Sequence, residues 1–311
     1  MVDRNHENID VATATDEAYL PYAAAMAATL ARSRLPQTRV TLTVLHTGVS
    51  DAGQERVKMW ANGIAIRWLH VTSETYGRLG LPSSPALVTP QYFRCLLPEL
   101  FPPTSSRVIY LDADTLVFAD LAELWRADLE DAPVGAVRDW LPTVRDAVGP
   151  WERIGLDPDA PYFNSGLLVV DLEAWRQQEA ALVVLQRCEF DSDHLVAQNK
   201  WPQHDQYGLN VVFHRRWKEL SPVWNHFSER SHPQPKVVHF VGNGKPGTRT
   251  CRPAFTRAFV KAVESTAWAG WRPVSLRAGW RLRFAWASGG RVIRRADPRR
   301  LLRTARRLTA T

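Results

Sequence analysis

The sequence predicts an α/β fold: a single Rossmann-like, mostly parallel sheet with helices on its faces. Three observations carry this. Strand-like and helix-like segments alternate through the first hundred residues, which is the pattern of βαβ units. VTLTVLH (Val40–His46) is β-branched and alternating, and Ser50–Ala61 follows it as a helix capped by Ser50 or Asp51. RVIYL (Arg107–Leu111) is a short apolar run that ends abruptly in acids.

In chain order, Ile9–Ala14 reads as a buried strand and the alanine-rich Leu20–Arg32 as a helix. Ile64–Val71 is a third strand, Leu81–Pro90 a loop, and Gln91–Leu100 a helix carrying Arg94. Asp139–Pro161, with its prolines and tryptophans, reads as an excursion forming a lid or a wall beside a site. Gly166–Asp171 is an apolar strand, Leu172–Glu189 a helix, and Pro202–Arg215 a helix around Asp205 and Gln206. Val237–Val241 is the last strand and runs into the glycine-bearing loop Gly242–Gly247. In such sheets the site lies beyond the carboxyl ends of the strands, where strand order reverses.

Of the 311 residues, 45% are hydrophobic and 23% charged, enough for a sizeable core and too apolar for general disorder. No apolar run approaches the roughly 20 residues that span a bilayer, and the first residues lack a signal-peptide core. A polytopic membrane protein and a conventionally secreted one are disfavoured. Cys95, Cys188 and Cys251 are odd in number and widely spaced, which suits a reducing cytoplasm better than a disulfide framework. The net charge of +7 is unevenly spread: from Trp271 to Thr311 there are 12 arginines and a single acid, Asp297. That segment carries +11 and the rest −4, so the main body offers no general surface for nucleic acid.

The most informative string is VIYLDADTLVFADLAELW. Asp112 and Asp114 follow a hydrophobic strand at a spacing that, on extended backbone, turns both carboxylates to one side. Two carboxylates held together repel unless a proton or a cation neutralises them, and hard divalent ions suit carboxylate oxygen. Acids that merely cap the next helix would look similar. His239, near a strand end, would add the nitrogen that favours Mn²⁺. Lys245, on the glycine-bearing loop, can meet a phosphate as a point charge. Singly these are an ordinary core histidine and a surface lysine; with the acidic pair they describe a metal–diphosphate site.

That combination resembles glycosyltransferase family 8, the retaining nucleotide-sugar transferases that include glycogenin and bacterial lipopolysaccharide galactosyl- and glucosyltransferases. Five segments match in family order: VATATDEAYLPYAAAMAATL, TPQYFRCLL, VIYLDADTLVFADLAELW, YFNSGLLVVDLEAW, and VVHFVGNGKPG preceded by HDQYGLN. The resemblance implies a GT-A catalytic domain over residues 1–270 that moves a galactose or glucose from a UDP-sugar to a hydroxyl of a glycan or glycolipid. Ala14, Thr15, Asp16 and Tyr19 would line the uridine pocket, with Tyr19 on the base. Arg94 would reach the donor, and the Ala113 backbone would lie near the ribose. Asp112, Asp114 and His239 would bind Mn²⁺, or Mg²⁺ in its place. Asp139, Asn164, Gly166, Asp205 and Gln206 would frame the donor sugar, and Gly242 and Lys245 would hold the diphosphate. Gln206, Asp205 and Lys245 would be the catalytic residues. An amide is a poor nucleophile, so front-face attack is favoured over double displacement. Ala18 and Gly247 depart from the family pattern, where asparagine and tryptophan are common. Two other readings stay open: a haloacid-dehalogenase-type phosphatase, whose motif LDADTLV resembles, and a UDP-sugar-binding protein that has lost catalysis.

In residues 271–311, Leu276, Trp280 and Phe284 recur every four residues, and Leu301, Leu302, Ala305 and Leu308 form a second stripe opposite Arg299, Arg303, Arg306 and Arg307. Such helices suit the surface of an anionic membrane, with the protein peripheral on the inner face of the plasma membrane. The expected result is that the full chain floats with anionic liposomes and a chain lacking 271–311 does not; equal recovery of both removes membrane docking.

Overall fold

The computed structural model describes residues 7–83, 87–148, 151–186 and 204–273. The ten strands among them are β1 (Glu7–Thr15), β2 (Thr38–His46), β3 (Ala65–His70), β4 (Arg107–Leu111), β5 (Thr115–Val117), β6 (Val134–Thr143), β7 (Pro161–Asp171), β8 (Trp217–Glu219), β9 (His226–Phe227) and β10 (Val237–His239). The helices are α1 (Leu20–Ser33), α2 (Asp51–Lys58), α3 (Ser73–Arg78), α4 (Leu97–Leu100), α5 (Ala122–Trp125), α6 (Val144–Ala147), α7 (Leu172–Gln177), α8 (180–186), α9 (His204–Val212) and α10 (Pro253–Glu264).

Seven strands form the main sheet in the order β3-β2-β1-β4-β7-β6-β8. The pairs β1–β2, β2–β3, β1–β4 and β6–β8 are parallel, whereas β7 runs antiparallel to both β4 and β6. The chain leaves β1 towards β2 and β3 on one side and returns to β4 on the other. The strand order therefore switches between β1 and β4, and the carboxyl ends of those strands flank the crevice expected there. A second sheet of three short strands, β5-β10-β9, accompanies the first and was not foreseen from the sequence.

Both faces of the main sheet are dry. Val11, Ile109, Leu167 and Val169 point to one side, under Leu20, Ala24, Met26 and Ala27 of α1. Ala12, Tyr110, Leu168 and Val170 point to the other, against Phe93, Trp175, Leu209 and Phe213. This two-sided burial is why the central strands read as continuous apolar runs rather than alternating ones. The Trp175 indole also donates to the Pro133 carbonyl at 2.9 Å, so its one polar atom is satisfied in the core.

Several segments differ from expectation. Ser50 caps α2 as expected, its hydroxyl accepting from Gly53 N, but that helix ends at Lys58 rather than Ala61. Pro90–Leu96, which holds Arg94, is a 3₁₀ helix that passes into α4 rather than one α-helix. Strand β7 begins at Pro161, so Asn164 and Gly166 lie within it; pairing with β6 extends it backward past the apolar run. Correspondingly, residues 139–143 belong to β6, and the excursion shrinks to α6 and the turns after it. The single helix expected from Leu172 breaks after Gln177, where Glu179 takes a left-handed backbone with φ of 47°. The ends of the helices expected at 172–189 and 202–215, the middle of the 81–90 loop, and all of the basic segment beyond Pro273 lie outside the described residues.

Candidate active site

Strand β4 ends at Leu111 and the chain turns at once. Asp112 and Asp114 share a side through this turn, which the Thr115 hydroxyl closes by donating to the Asp112 carbonyl at 2.9 Å; the pleat of an extended strand is not what aligns them. Two ladders then fix the acids. Asp112 N donates to the Gly166 carbonyl at 2.8 Å, continuing the β4–β7 pairing. Beyond the turn, β5 pairs antiparallel with β10 so that His239 stands opposite Thr115, and Phe240 N donates to the Asp114 carbonyl at 3.0 Å. The small second sheet thus delivers the imidazole to the acids.

Ligand atoms of Asp112, Asp114 and His239 all lie within 4.8 Å of one another. His239 Nε2 is 3.5 Å from Asp112 Oδ2 and 3.3 Å from Asp114 Oδ1. Its Nδ1 meets Asn225 Oδ1 at 3.0 Å, while Asn225 Nδ2 donates to Asn164 Oδ1 at 2.8 Å. With its amide nitrogen committed to Asn164, Asn225 presents an acceptor to the histidine. That acceptor favours a proton on Nδ1, and Nε2 would then offer its lone pair to a cation held between the acids, the tautomer a metal requires. Space for the cluster depends on Gly166: a Cβ there would overlap the His239 ring and stand 2.8 Å from Asp112 Oδ2. Two carboxylates and an imidazole lone pair in one pocket, with a strand thinned to glycine beside them, fit a divalent cation.

Two cavities meet at this cluster. One, of about 460 Å³, is lined by Ala14, Thr15, Asp16, Tyr19, Arg94, Tyr110 and Asp112–Asp114. The other, of about 720 Å³, is lined by Asp139, Trp140, Asn164, Ser165, Gly166, Asp205, Gln206, His239, Gly242 and Lys245. Arg94, Asp112 and Asp114 border both. Every site residue singled out in the sequence lines one cavity or the other.

Their side chains are not free. The Asp16 carboxylate accepts from Tyr19 N at 2.9 Å, shaping the turn into α1. Arg94 is buried, with its guanidinium spread among Asp112 (2.7 Å), Asp205 (2.9 Å) and Ser165, over the Tyr110 ring at 4.6 Å. It braces two acids, so reaching a donor would need one of those contacts to loosen. Gln206 Oε1 accepts from Ser165 N at 3.0 Å and from Asn164 Nδ2 at 3.1 Å, and its Nε2 donates to Asp139 at 3.3 Å. Asp139 reaches this network because it faces inward by ordinary strand alternation, between exposed Arg138 and Trp140. Gly242, left-handed at φ 47°, opens the turn that returns Lys245 to Asp114, with which it forms an ion pair beside Tyr19.

Burial would raise the Asp114 carboxyl, but the Lys245 ammonium paired with it outweighs burial and holds it far below the usual range. Asp205 goes the other way: burial, helped by Asp112 and opposed by Arg94, pushes it up to about 6. Burial also raises Asp139.

Asn225, Ser165 and Tyr110 escaped the sequence reading. Ser165 sits inside the FNSG string and could have been taken with it. Asn225 has no local signal, because its role depends on two strands distant in sequence.

The model of glycosyl transferase family 8 matches residues 10–251. The chain belongs to glycosyltransferase family 8. General stress protein A of Bacillus subtilis is 26% identical over 292 residues, 85% of this chain and 96% of the relative. The lipopolysaccharide 1,2-glucosyltransferase of Escherichia coli K12 is 25% identical over 206 residues, 60% of this chain and 58% of the relative. Among solved structures, the galactosyltransferase LgtC with donor and acceptor sugar analogues superposes with a TM-score of 0.63 at 24% identity, over 87% of this chain and all of that one. The bifunctional glycosyltransferase WbbM gives 0.68 at 20% identity, over 87% of this chain and 51% of that one. These likenesses establish the GT-A fold. The phosphatase reading is not favoured: the acidic pair follows the fourth strand, inside a glycosyltransferase match.

Replacing Gly166 with alanine is expected to weaken binding of MnCl₂ at least about ten-fold by calorimetry while the circular dichroism spectrum is kept; unchanged affinity would show the cluster is not the cation site. Asp205 generates a pH test. Its folded pKa is raised, so between about pH 4 and 6 the folded state holds a proton the unfolded chain releases, and its contribution to stability falls as pH rises through that window. Relative to Asp205→Asn, the parent should lose on the order of 2–3 kcal/mol across it in chemical denaturation; a difference flat in pH contradicts the assignment.

Proposed function

We propose that this family 8 enzyme moves a hexose, galactose or glucose, from a UDP-sugar to a hydroxyl of a glycan or glycolipid, with retention at the anomeric carbon and dependence on Mn²⁺, or Mg²⁺ in its place. The observation that carries the reading is the meeting of two cavities at Asp112, Asp114 and His239. The names of the relatives, a lipopolysaccharide glucosyltransferase among them, agree with it.

In this reading the smaller cavity takes uridine, with Tyr19 against the base, Ala14, Thr15 and Asp16 around it, and the Ala113 backbone near the ribose. Asp139, Asn164, Gly166, Asp205 and Gln206 surround the sugar in the larger cavity. Trp140, 58% exposed at its rim, offers an apolar face to an acceptor ring. A Mn²⁺ held by Asp112, Asp114 and His239 would neutralise charge on the diphosphate as it departs. Lys245, exchanging Asp114 for the β-phosphate, would stabilise the oxygen on which charge grows as the anomeric C–O bond breaks.

Front-face attack is supported by the state of the two candidate nucleophiles. Gln206 Oε1 already accepts two hydrogen bonds, and Asp205 is engaged by Arg94 and, at 3.0 Å, by the Ser165 hydroxyl. These groups orient the sugar. The acceptor oxygen would approach on the leaving-group side, and its proton would pass to the departing phosphate oxygen. The same proposal lays the arginine-rich segment beyond Pro273 on an anionic membrane surface at the cytoplasmic face and involves no nucleic acid; Trp271 and Arg272, expected at the start of that segment, pack on the domain instead.

Asp112→Asn and Asp114→Asn are each expected to lower MnCl₂-dependent UDP release from a UDP-sugar panel roughly 100-fold or more without loss of fold. Undiminished release in both rejects the metal assignment. A parent protein that binds UDP but releases none from any UDP-sugar assigns the site to binding alone.

A further inference from the structure

Trp271 is the last ring before the arginine-rich segment, and two tyrosines connect it to the smaller cavity. Its indole meets the edge of Tyr22, centroids 5.5 Å apart at 77°, and lies 6.5 Å from Phe259. Tyr22 packs on Phe259 at 5.0 Å and stacks on Tyr19 at 4.9 Å with 23° between the planes. Tyr22 is buried, whereas Tyr19 is 38% exposed and stands in the cavity wall. The ring that faces the cavity is thus backed by one that does not, and that one is flanked by Trp271.

The stretch that delivers Trp271 is strapped across the domain. Arg32 donates to the Ser265 hydroxyl at 2.6 Å. Arg56 donates to the Ala267 carbonyl at 2.9 Å and lies 4.3 Å over the Trp268 ring. Arg272 pairs with Glu264 at 2.5 Å, and Gly270 N donates to the same carboxylate. These five contacts hold a loop that carries little helix or strand, so the placement of Trp271 is defined from both sides.

We propose that Trp271 is a positioning residue for the donor nucleotide: by its edge contact it fixes the Tyr22 ring, and so the Tyr19 ring stacked on it, in the orientation that receives the base. This rests on the proposed uridine occupancy of the smaller cavity. The physical basis is the shallow landscape of offset-stacked rings, which slide over one another at little cost unless a third ring selects one arrangement. Without Trp271 the Tyr19–Tyr22 pair samples several arrangements, and binding must select the productive one, which lowers affinity. Trp271 touches no reacting atom, so what is lost is uniform binding: KM for the donor rises and kcat does not fall. A residue that only packs would lower the melting temperature and leave nucleotide affinity alone.

The test uses the full chain and calorimetric titration of UDP in the presence of MnCl₂, with the parent, Trp271→Ala, Trp271→Leu and Trp271→Phe. Leucine keeps apolar volume without a ring edge and serves if the alanine variant does not fold. The expected result is UDP binding weakened about five- to ten-fold in the alanine and leucine variants and restored to within about two-fold by phenylalanine. Affinity for MnCl₂ alone and turnover at saturating UDP-sugar stay unchanged. Equal UDP affinity in all folded forms, or a loss that falls on kcat with KM unchanged, overturns the proposal. A parent that fails to bind UDP overturns the uridine assignment itself, and this inference with it, so the two failures are told apart by the first titration.

Discussion

Two carboxylates brought within reach of one imidazole lone pair are the constraint around which this molecule is arranged. Like charges at that separation are unfavourable unless compensated, and the protein compensates them in several directions. Arg94, on the 3₁₀ helix, holds Asp112, Lys245 holds Asp114 from the glycine-bearing loop, and the His239 ring would reach both acids through a shared cation. None of these partners is local. The acids sit where the main sheet hands the chain to the small one, so that two independent ladders can fix them.

The polar chain behind the cluster gives it a single orientation. His239, Asn225, Asn164, Asp139 and Gln206 are linked by successive hydrogen bonds, and each amide is oriented by the next. A network of this kind is worth having in a buried site only when its members are satisfied. Here it ties the orientation of the His239 ring to the positions of Asn164, Asp139 and Gln206 in the larger cavity. The two cavities are therefore electrostatically one site, although they are separate spaces.

Much of this was legible in the sequence, for identifiable reasons. The central strands announce themselves because both faces are covered, and α1 and α2 because alanine richness and a serine cap are local signals. The acidic pair and the glycine-bearing loop were visible as strings, and the order of five such strings pointed to the family. What escaped was set by long-range pairing. The 3₁₀ helix at Arg94, the backward extension of β7 and the continuation of β6 through Asp139 follow from what those segments pack against. Asn225 is an unremarkable residue until two strands bring His239 and Asn164 to either side of it. Of the short second sheet the sequence offered only the strand at Val237; β5 and β9, of three and two residues, are below what periodicity can register.

The register of β5 against β10 has a consequence for biosynthesis. The acids are made early and the imidazole far downstream, on a strand only three residues long. The three groups therefore meet only once β10 has paired with β5, and every strand of the main sheet precedes β10 in the chain.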